Sequence, residues 1–564
     1  MDKKTIRNAL DECREIEDVL CFENKEYQGE MYDFLVACYL VAGGECVPIR
    51  IGINDNWPIK LFDFYIHYEN GLADSRYCFM PHVDVKGKMC LWRLDNILIE
   101  AQFEGLLQEC VKKAVEIIED GKSGKNKDEF IREFRAYWKD LPNIEYARLV
   151  MPKTEDSTII KWREVEADTK ETHIMAALSA NIINEWCTCK EPLRNAAFFY
   201  IDATNECILP LNPAKPDYIA FVNNLLDRVD YKIRIRILDK LRTPYIIFFH
   251  IQQPNDCWAD VGVSIKSNNE SIHDILKKGS RSNHGVKPIW VKRVDRKYLM
   301  QRVAQPQCPL ESLNYLIIGA GSIGGYLADF LGRAGGKNVT VVDDELLFEE
   351  NIFRHLLGKI FVRKSKAQAI CKYMAASLPE VNYKPIPMTI EKAYRKKLVV
   401  WNDYDVIFAA TGNENVNRWL EKNIEESSAK CKVIYLWNDP LDIGCHAACV
   451  NMDFQGRYKD LFRYDDHHML FNISSFSAPN QEFAGSYAGC DGSFIPYGSE
   501  VSIQAALLGM DLLKKSVSGI LQENVISSYK GEGNYFKKGG FQVSQSYESQ
   551  VGTVCVKRLD NYGG

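Results

Sequence analysis

The segment from Asn314 to Asp343 constrains this chain more than any other. Asn314 to Ile318 (NYLII) is a short apolar run of buried-strand type, and Gly319-Ala-Gly321-Ser-Ile-Gly324 follows at once. A helical pattern then carries Leu327, Phe330, Leu331 and Ala334, and Val339 to Val342 reads as the next strand, ending at Asp343. A G-x-G-x-x-G turn between strand and helix, with an acid about 20 residues on, is the phosphate-binding turn of a Rossmann-like parallel sheet. The spacing gives each glycine a task. Gly319 makes the tight turn, Gly321 lets phosphate approach the backbone, and Gly324 lets helix and strand pack closely. The helix N-terminus supplies amide donors to the anion. Taken alone, the turn points to a dinucleotide oxidoreductase.

The residues after Asp343 change that reading. They run Asp343-Asp-Glu-Leu-Leu-Phe-Glu-Glu-Asn351-Ile-Phe-Arg354-His355, then Ser365-Lys366-Ala367. This pattern resembles the ThiF/MoeB and ubiquitin-activating adenylyltransferase superfamily: an Asp for the ribose, then Asn and Arg, then a Lys opening the next helix. Attack of a carboxylate on the α-phosphate of ATP builds negative charge that Arg and Lys can clamp, a demand that hydride transfer lacks. The resemblance implies ATP and Mg²⁺ as cofactors, with Asp343 on the ribose and Asn351, Arg354 and Lys366 facing the triphosphate. One departure stands out. The family carries Thr-Asp-Asn after the fourth strand, the Asp serving Mg²⁺, whereas Val406 to Ala410 leads here into Thr411-Gly412-Asn413-Glu414. Either Glu414 or another acid assists the metal, or activation is weakened, so the metal ligands stay unassigned.

Two cysteines among the 18 stand in contexts suited to acyl transfer, where a thiolate attacks readily and its thioester stays energetic. Cys490 lies in a Gly- and Pro-rich stretch, Ala488-Gly-Cys490-Asp-Gly-Ser-Phe-Ile-Pro496-Tyr-Gly498, ahead of an apolar helix from Val501 to Leu513. It resembles the Gly-Cys loop of bacterial ubiquitin-activating-like enzymes, which implies an acyl carrier. Cys90 lies in Met80-Pro81-His82-Val83-Asp-Val-Lys-Gly87-Lys-Met-Cys90-Leu91. This resembles the ubiquitin-conjugating pattern of His-Pro-Asn, a Gly, then Cys-Leu, with Cys90 as acceptor thiol. His82 takes the place of the Asn that helps stabilise the oxyanion. The Pro-His variant and a Glu133-Phe134-Arg-Ala-Tyr137-Trp138 helix are similar to the bacterial branch. Cys78 reads as a core residue.

Patterning divides the chain into 1–146, 147–290 and 291–564. In the first region Val47 to Ile53 and Phe62 to His67 read as strands. A helix from Ala101 to Glu119 carries Phe103, Leu107, Val111, Val115 and Ile118 on one stripe, and Gly121 to Lys127 breaks it. A further helix aligns Phe130, Phe134 and Trp138. In the middle, Ala197 to Ile201, Ile208 to Leu211 and Tyr245 to His250 read as strands, Met175 to Trp186 and Tyr218 to Val229 as helices. Cys187-Thr-Cys189 has no second thiol pair at zinc-ligand spacing. The expected fold is multidomain, α/β and α+β: a ubiquitin-conjugating-like α+β domain, an α/β linker domain and a Rossmann-like ThiF-type adenylation domain.

A conjugating-type domain ahead of an adenylation domain resembles the fused ubiquitin-transfer enzymes of bacterial anti-phage CBASS operons. The resemblance implies activation of a protein substrate's C-terminal glycine, capture on Cys490, transfer to Cys90 and conjugation to an acceptor lysine. The activated protein would be a cGAS-like nucleotidyltransferase or a ubiquitin-like protein. Rival readings are a MoeB-like adenylyltransferase for a sulfur carrier, an NAD oxidoreductase and a non-catalytic scaffold. By analogy the adenylation domains pair as homodimers, with Arg293, Arg296 and Arg302 as arginines that could be lent to the neighbour. A formal net charge of -6 argues against a nucleic-acid binder, and no apolar stretch is long enough to span a membrane. With no export signal the thiols point to a reducing cytoplasm. The tail, Asn561-Tyr-Gly563-Gly564, reads as a flexible terminus, with self-conjugation as the sharper alternative.

Overall fold

The computed structural model describes residues 2–54, 60–69, 77, 79–92, 102–152, 156–166, 172–187, 191–268, 270–282, 285–303, 310–465, 468–483, 485–486 and 493–562. The chain forms two compact units, Met1–Asp295 and Arg296–Gly564. Among the described residues no helix is long and apolar enough to cross a membrane.

The first unit begins with a four-stranded antiparallel meander: Ile16–Tyr27, Glu30–Ala42, Glu45–Ile53 and Asp63–Ile66. Strand alternation sends Val36, Leu40, Val47, Ile49 and Ile51 to one face. The Phe103–Ser123 helix packs there through Leu107, Val111 and Ile118. It does not break at Gly121. It ends at Gly124, whose left-handed φ of 72° lets its amide bond back to Asp120 O. Gly121 instead allows a close approach, since a Cβ there would stand 2.3 Å from the Met80 side chain. The expected third helix is two short ones, Glu129–Arg132 and Phe134–Lys139.

The rest of this unit is a closed barrel of seven strands. Their order is Trp258–Ile265, Val286–Arg293, Glu145–Leu149, Thr172–Ala177, Thr158–Glu166, Arg194–Asp202, Tyr245–Gln252. Trp162, Phe198, Phe248 and Ile289 form one of its cores. Two local expectations fail here. Thr172–Ala177 is a strand, and only Ala180–Trp186 is helical. Its buried Met175 and Ala176 pair with strands on both sides, so sheet burial overrides their helix propensity. Ile208 to Leu211 forms no strand; Ile208 is buried and its amide donates to Gln253 Oε1 at 3.0 Å.

The second unit is an eight-stranded sheet. Its parallel part runs Asn382–Ile386, Asn338–Val342, Asn314–Ile318, Val406–Ala409, Lys432–Asn438. Gly444–Val450, Val525–Lys530 and Val554–Arg558 extend it antiparallel. The helices Ser322–Arg333, Lys366–Ser377 and Ser499–Val517 share one core, and Glu414–Ser427 packs in a second. Strand order reverses on either side of Asn314–Ile318, and the crevice beyond the carboxyl ends of such strands is where this architecture binds ligands.

Candidate functional site

That crevice holds a cavity of about 740 Å³, within the range of roughly 300–1,000 Å³ typical of small-molecule sites. Gly319 and Gly324 show the close backbone approach that their spacing predicts. Gly319 has φ +90°, and a Cβ on it would sit 2.3 Å from Ala410 O. A Cβ on Gly324 would sit 1.9 Å from Gly319 O, so helix and turn approach at backbone contact. Gly321 faces open space and lines the cavity, a cradle that a side chain would fill. Asp343, Asn351, Arg354 and Lys366 line the same cavity, so the turn, the following loop and the next helix converge on one space.

Asp343 braces the turn: Oδ2 accepts the Ala320 amide at 2.7 Å and Oδ1 the Glu345 amide at 2.8 Å. Burial raises its pKa above the usual carboxylate range. Asn351 Oδ1 accepts the Phe348 amide at 3.1 Å. Lys366 opens its helix with a side chain only 8% exposed and pairs with the exposed Glu345 carboxylate. Arg354 has no carboxylate partner among the described residues; its guanidinium lies over the Tyr497 ring. His355, named in the motif but given no role by sequence, is a buried strut. Its Nε2–H donates to Ala320 O at 2.7 Å, while Nδ1 accepts the Leu357 amide at 3.0 Å. Burial pulls its pKa down to about 4, so the ring stays neutral behind the glycine turn.

Gly412 has φ +63°, left-handed backbone that glycine adopts freely and that Asp also tolerates, as Asp442 does at φ 57°. Glu414 lines the cavity, but Tyr458 OH donates to its carboxylate and burial raises its pKa. A carboxylate that ligates a metal is commonly hydrogen-bonded in this way, so the Tyr458 contact is compatible with the supporting role that the sequence left open for Glu414. Asp439, missed by sequence, follows the Lys432–Asn438 strand at the cavity wall. It accepts from Ser475 Oγ at 2.7 Å, the Phe476 amide at 2.6 Å and His446 Nε2 at 2.9 Å, a fully satisfied buried carboxylate. Its position at the carboxyl end of a parallel strand was the available clue. Of the arginines proposed for loan, Arg296 is buried in its own unit, donating to Gly335 O at 2.9 Å. Arg293 forks onto Asp295, and Arg302 is exposed.

The first unit carries a second site around the exposed Cys90. The Met80–Leu91 loop closes on itself, with the Cys90 amide donating to His82 O at 2.8 Å. Gly87, at φ +81°, leaves room for Ile66 O, which a Cβ would approach to 2.2 Å. Tyr137 OH donates to Met80 O at 2.7 Å, which pins the loop to the Phe134–Lys139 helix. His82 is held in left-handed backbone at φ 65°. Its Nε2 pairs with Glu129, and its Nδ1 lies 2.9 Å from Glu133 Oε1 without hydrogen-bond alignment, an ionic contact. The Cys90 side chain and the Glu133 carboxylate raise the His82 pKa to about 10 despite partial burial. The ring is therefore an imidazolium beside the thiol. It suits stabilisation of developing negative charge and cannot serve as a neutral base. A cavity of about 400 Å³ opens here, bordered by His82, Cys90, Asp84 and Asp140. Glu129 carried no sequence signal, because its role depends on a contact across 47 residues.

Cys490 lies outside the described residues, as do Cys78, Cys189, Gly563 and Gly564. Among the described residues no cluster of three or more His, Cys, Asp or Glu groups could hold a metal ion.

Residues 294–550 match the ThiF family and residues 22–146 match prokaryotic E2 family B. The chain is 23% identical over 462 residues to an ATP-dependent ubiquitin transferase-like protein Cap2 of Pseudomonas aeruginosa, covering 78% of this chain and 80% of that one. A Cap2 protein of Escherichia coli is 21% identical over 414 residues, covering 64% and 67%. The chain is thus a fused E2-like and ThiF-type enzyme, in which a prokaryotic E2 family B domain precedes a ThiF-family domain, and it is similar over most of its length to ATP-dependent ubiquitin transferase-like proteins.

Proposed function

We propose that this chain activates the C-terminal glycine of a protein substrate with ATP and passes the acyl group through Cys490 and Cys90 to an amine, as part of a CBASS-type anti-phage system. The observation that carries this reading is the nucleotide cavity, where the open cradle at Gly321 faces Arg354 and Lys366. Asp343 would hold the ribose, Asn351 would face the phosphates, and the two cations would balance the charge that grows on them.

Each step balances. The substrate carboxylate attacks the α-phosphorus, one P–O bond forms, another breaks, and pyrophosphate leaves. The Cys490 thiolate attacks the acyl carbon and AMP leaves. The Cys90 thiolate takes the acyl group and the Cys490 thiolate departs. An acceptor amine, a lysine of a target protein, then attacks; it loses a proton and the Cys90 thiolate leaves. His82, as an imidazolium, stabilises the tetrahedral oxyanion at Cys90. A cGAS-like nucleotidyltransferase or a ubiquitin-like protein is the activated substrate, and the chain works as a cytoplasmic homodimer.

Pyrophosphate exchange and thioester trapping with candidate substrates test the relay. Cys490→Ala should retain exchange and leave Cys90 unloaded. Cys90→Ala should hold a reducible adduct on Cys490 and form no amide. If Cys490→Ala conjugates normally, the acyl group passes directly to Cys90. If both variants conjugate normally, the proposal fails. A MoeB-like adenylyltransferase would need neither the imidazolium nor the thiol of the first unit.

A further inference from the structure

One side chain of the nucleotide cavity has no place in that scheme. The Tyr497 ring lies under the Arg354 guanidinium, 4.7 Å from its centroid. Its hydroxyl accepts a hydrogen bond from Ser322 Oγ at 3.3 Å. Ser322 is the first residue of the Ser322–Arg333 helix, and Gly321 before it makes no side-chain cap. Arg354 and this helix end are the two elements from which an anion would be held. The ring contacts Arg354 and its hydroxyl reaches the first side chain of this helix, and Tyr497 does line the cavity.

The main chain around Tyr497 is tied on both sides. Leu441 N–H donates to Pro496 O at 2.9 Å, and Gly498 N–H donates to Asp442 Oδ1 at 2.7 Å. Leu441 and Asp442 are consecutive non-glycine residues at φ 54° and 57°, a conformation that persists only where its surroundings hold it. The backbone is thus anchored, and the freedom left to Tyr497 is rotation of its side chain. Phosphate oxygens compete for the same guanidinium and the same helix end, and a charged pair outweighs a cation–ring contact.

We infer that Tyr497 is the gate of the phosphate seat. Without nucleotide its ring parks Arg354 and its hydroxyl holds Ser322 Oγ; a triphosphate takes both side chains and the ring turns aside. Tyr497 is in this sense a positioning residue that acts through Arg354, and the inference rests on the nucleotide-site reading above. It follows that the gate discriminates by phosphate content. A ligand that lacks phosphates leaves the ring in place, and one that carries them must displace it.

The test is calorimetric titration of the full chain with ATP and, separately, with adenosine. Tyr497→Ala should bind ATP about three- to tenfold more tightly than the parent, the scale of one cation–ring contact. Its adenosine affinity should not change. Tyr497→Leu keeps apolar bulk without a ring face and should behave in the same way, which guards against poor folding of the alanine variant. Tyr497→Phe keeps the ring on Arg354 and should fall between. Equal or weaker ATP binding by the Ala and Leu variants overturns the gate, as does an equal shift for adenosine. If the parent binds ATP and no variant differs, the gate alone falls. If the folded parent binds no ATP, the nucleotide-site reading falls and takes the gate with it.

Discussion

In the glycine-turn cavity Arg354 and Lys366 rest on partners that a ligand can replace, an aromatic ring and an exposed carboxylate. Beside Cys90 the cation is locked: His82 sits between Glu129 and Glu133. The first site is rigid in its backbone, where glycines meet carbonyl oxygens at contact distance, and leaves its charges free to be claimed. The second places its charge permanently beside the nucleophile. Two histidines make the same point. Burial without a carboxylate takes His355 down to about 4, while a thiol and paired carboxylates take His82 up to about 10. Each arrangement suits its proposed task, since a nucleotide brings its own charge, whereas an acyl transfer develops charge only in the transition state.

The contrast breaks hardest at Gly324. Gly324→Val places atoms inside the Gly319 carbonyl, so pyrophosphate exchange should be lost altogether, while loading of Cys90 from a chemically supplied thioester survives. Normal exchange would refute the rigid-backbone side of the comparison. Next in size come Arg354→Ala and Lys366→Ala, each expected to lower exchange by about 10²–10³, the usual loss for one preorganised charge-stabilising contact. Rates unchanged in both would remove the clamp.

His82→Gln should slow amide formation from a loaded Cys90 by about 10–100-fold, at the lower end for a charge-stabilising group, and leave exchange untouched. The pH dependence sharpens this. The folded pKa of His82 lies above its ordinary value of 6.5, so its ionic contribution is whole below about 6.5 and is lost as pH rises through about 10. The parent's transfer rate relative to that of the Gln variant should fall across that upper range, since deprotonation of the acceptor lysine raises both alike. A constant ratio would detach the effect from His82.

The smallest effect belongs to His355. Its folded pKa lies below the ordinary value, so its contribution is whole above about 6.5 and is lost as pH falls toward about 4. Denaturant titration of the second unit's transition should show stability dropping across that window by a few kcal/mol at most, an order-of-magnitude figure. His355→Gln should flatten the slope. An unaltered slope would place the acid sensitivity elsewhere.

Much of this architecture is written in local pattern. The strand–turn–helix around Gly319, Gly321 and Gly324 is legible because each glycine answers a local steric demand visible in spacing. The stripe from Phe103 to Ile118 is legible because periodicity reports which face is buried. Met175 misleads because its helix propensity loses to pairing with strands on both sides. Gly412 reads as a lost metal ligand along the chain, and its left-handed φ of +63° is a backbone feature that the spacing does not report.

Periodicity, spacing and side-chain chemistry along the chain were thus enough to specify the two folds and their order, and to pick out Gly319, Gly321, Asp343, Asn351, Arg354 and Lys366 on the wall of the glycine-turn cavity. Only folding in three dimensions set Glu129 and Glu133 around His82, propped the glycine turn on His355 and stood Tyr497 against Arg354 and Ser322. Most of these contacts join residues far apart in sequence, 47 positions between His82 and Glu129 and 175 between Ser322 and Tyr497. Charge and hydrogen bonding act through space, and no local pattern records which distant partner folding will bring within a few ångströms.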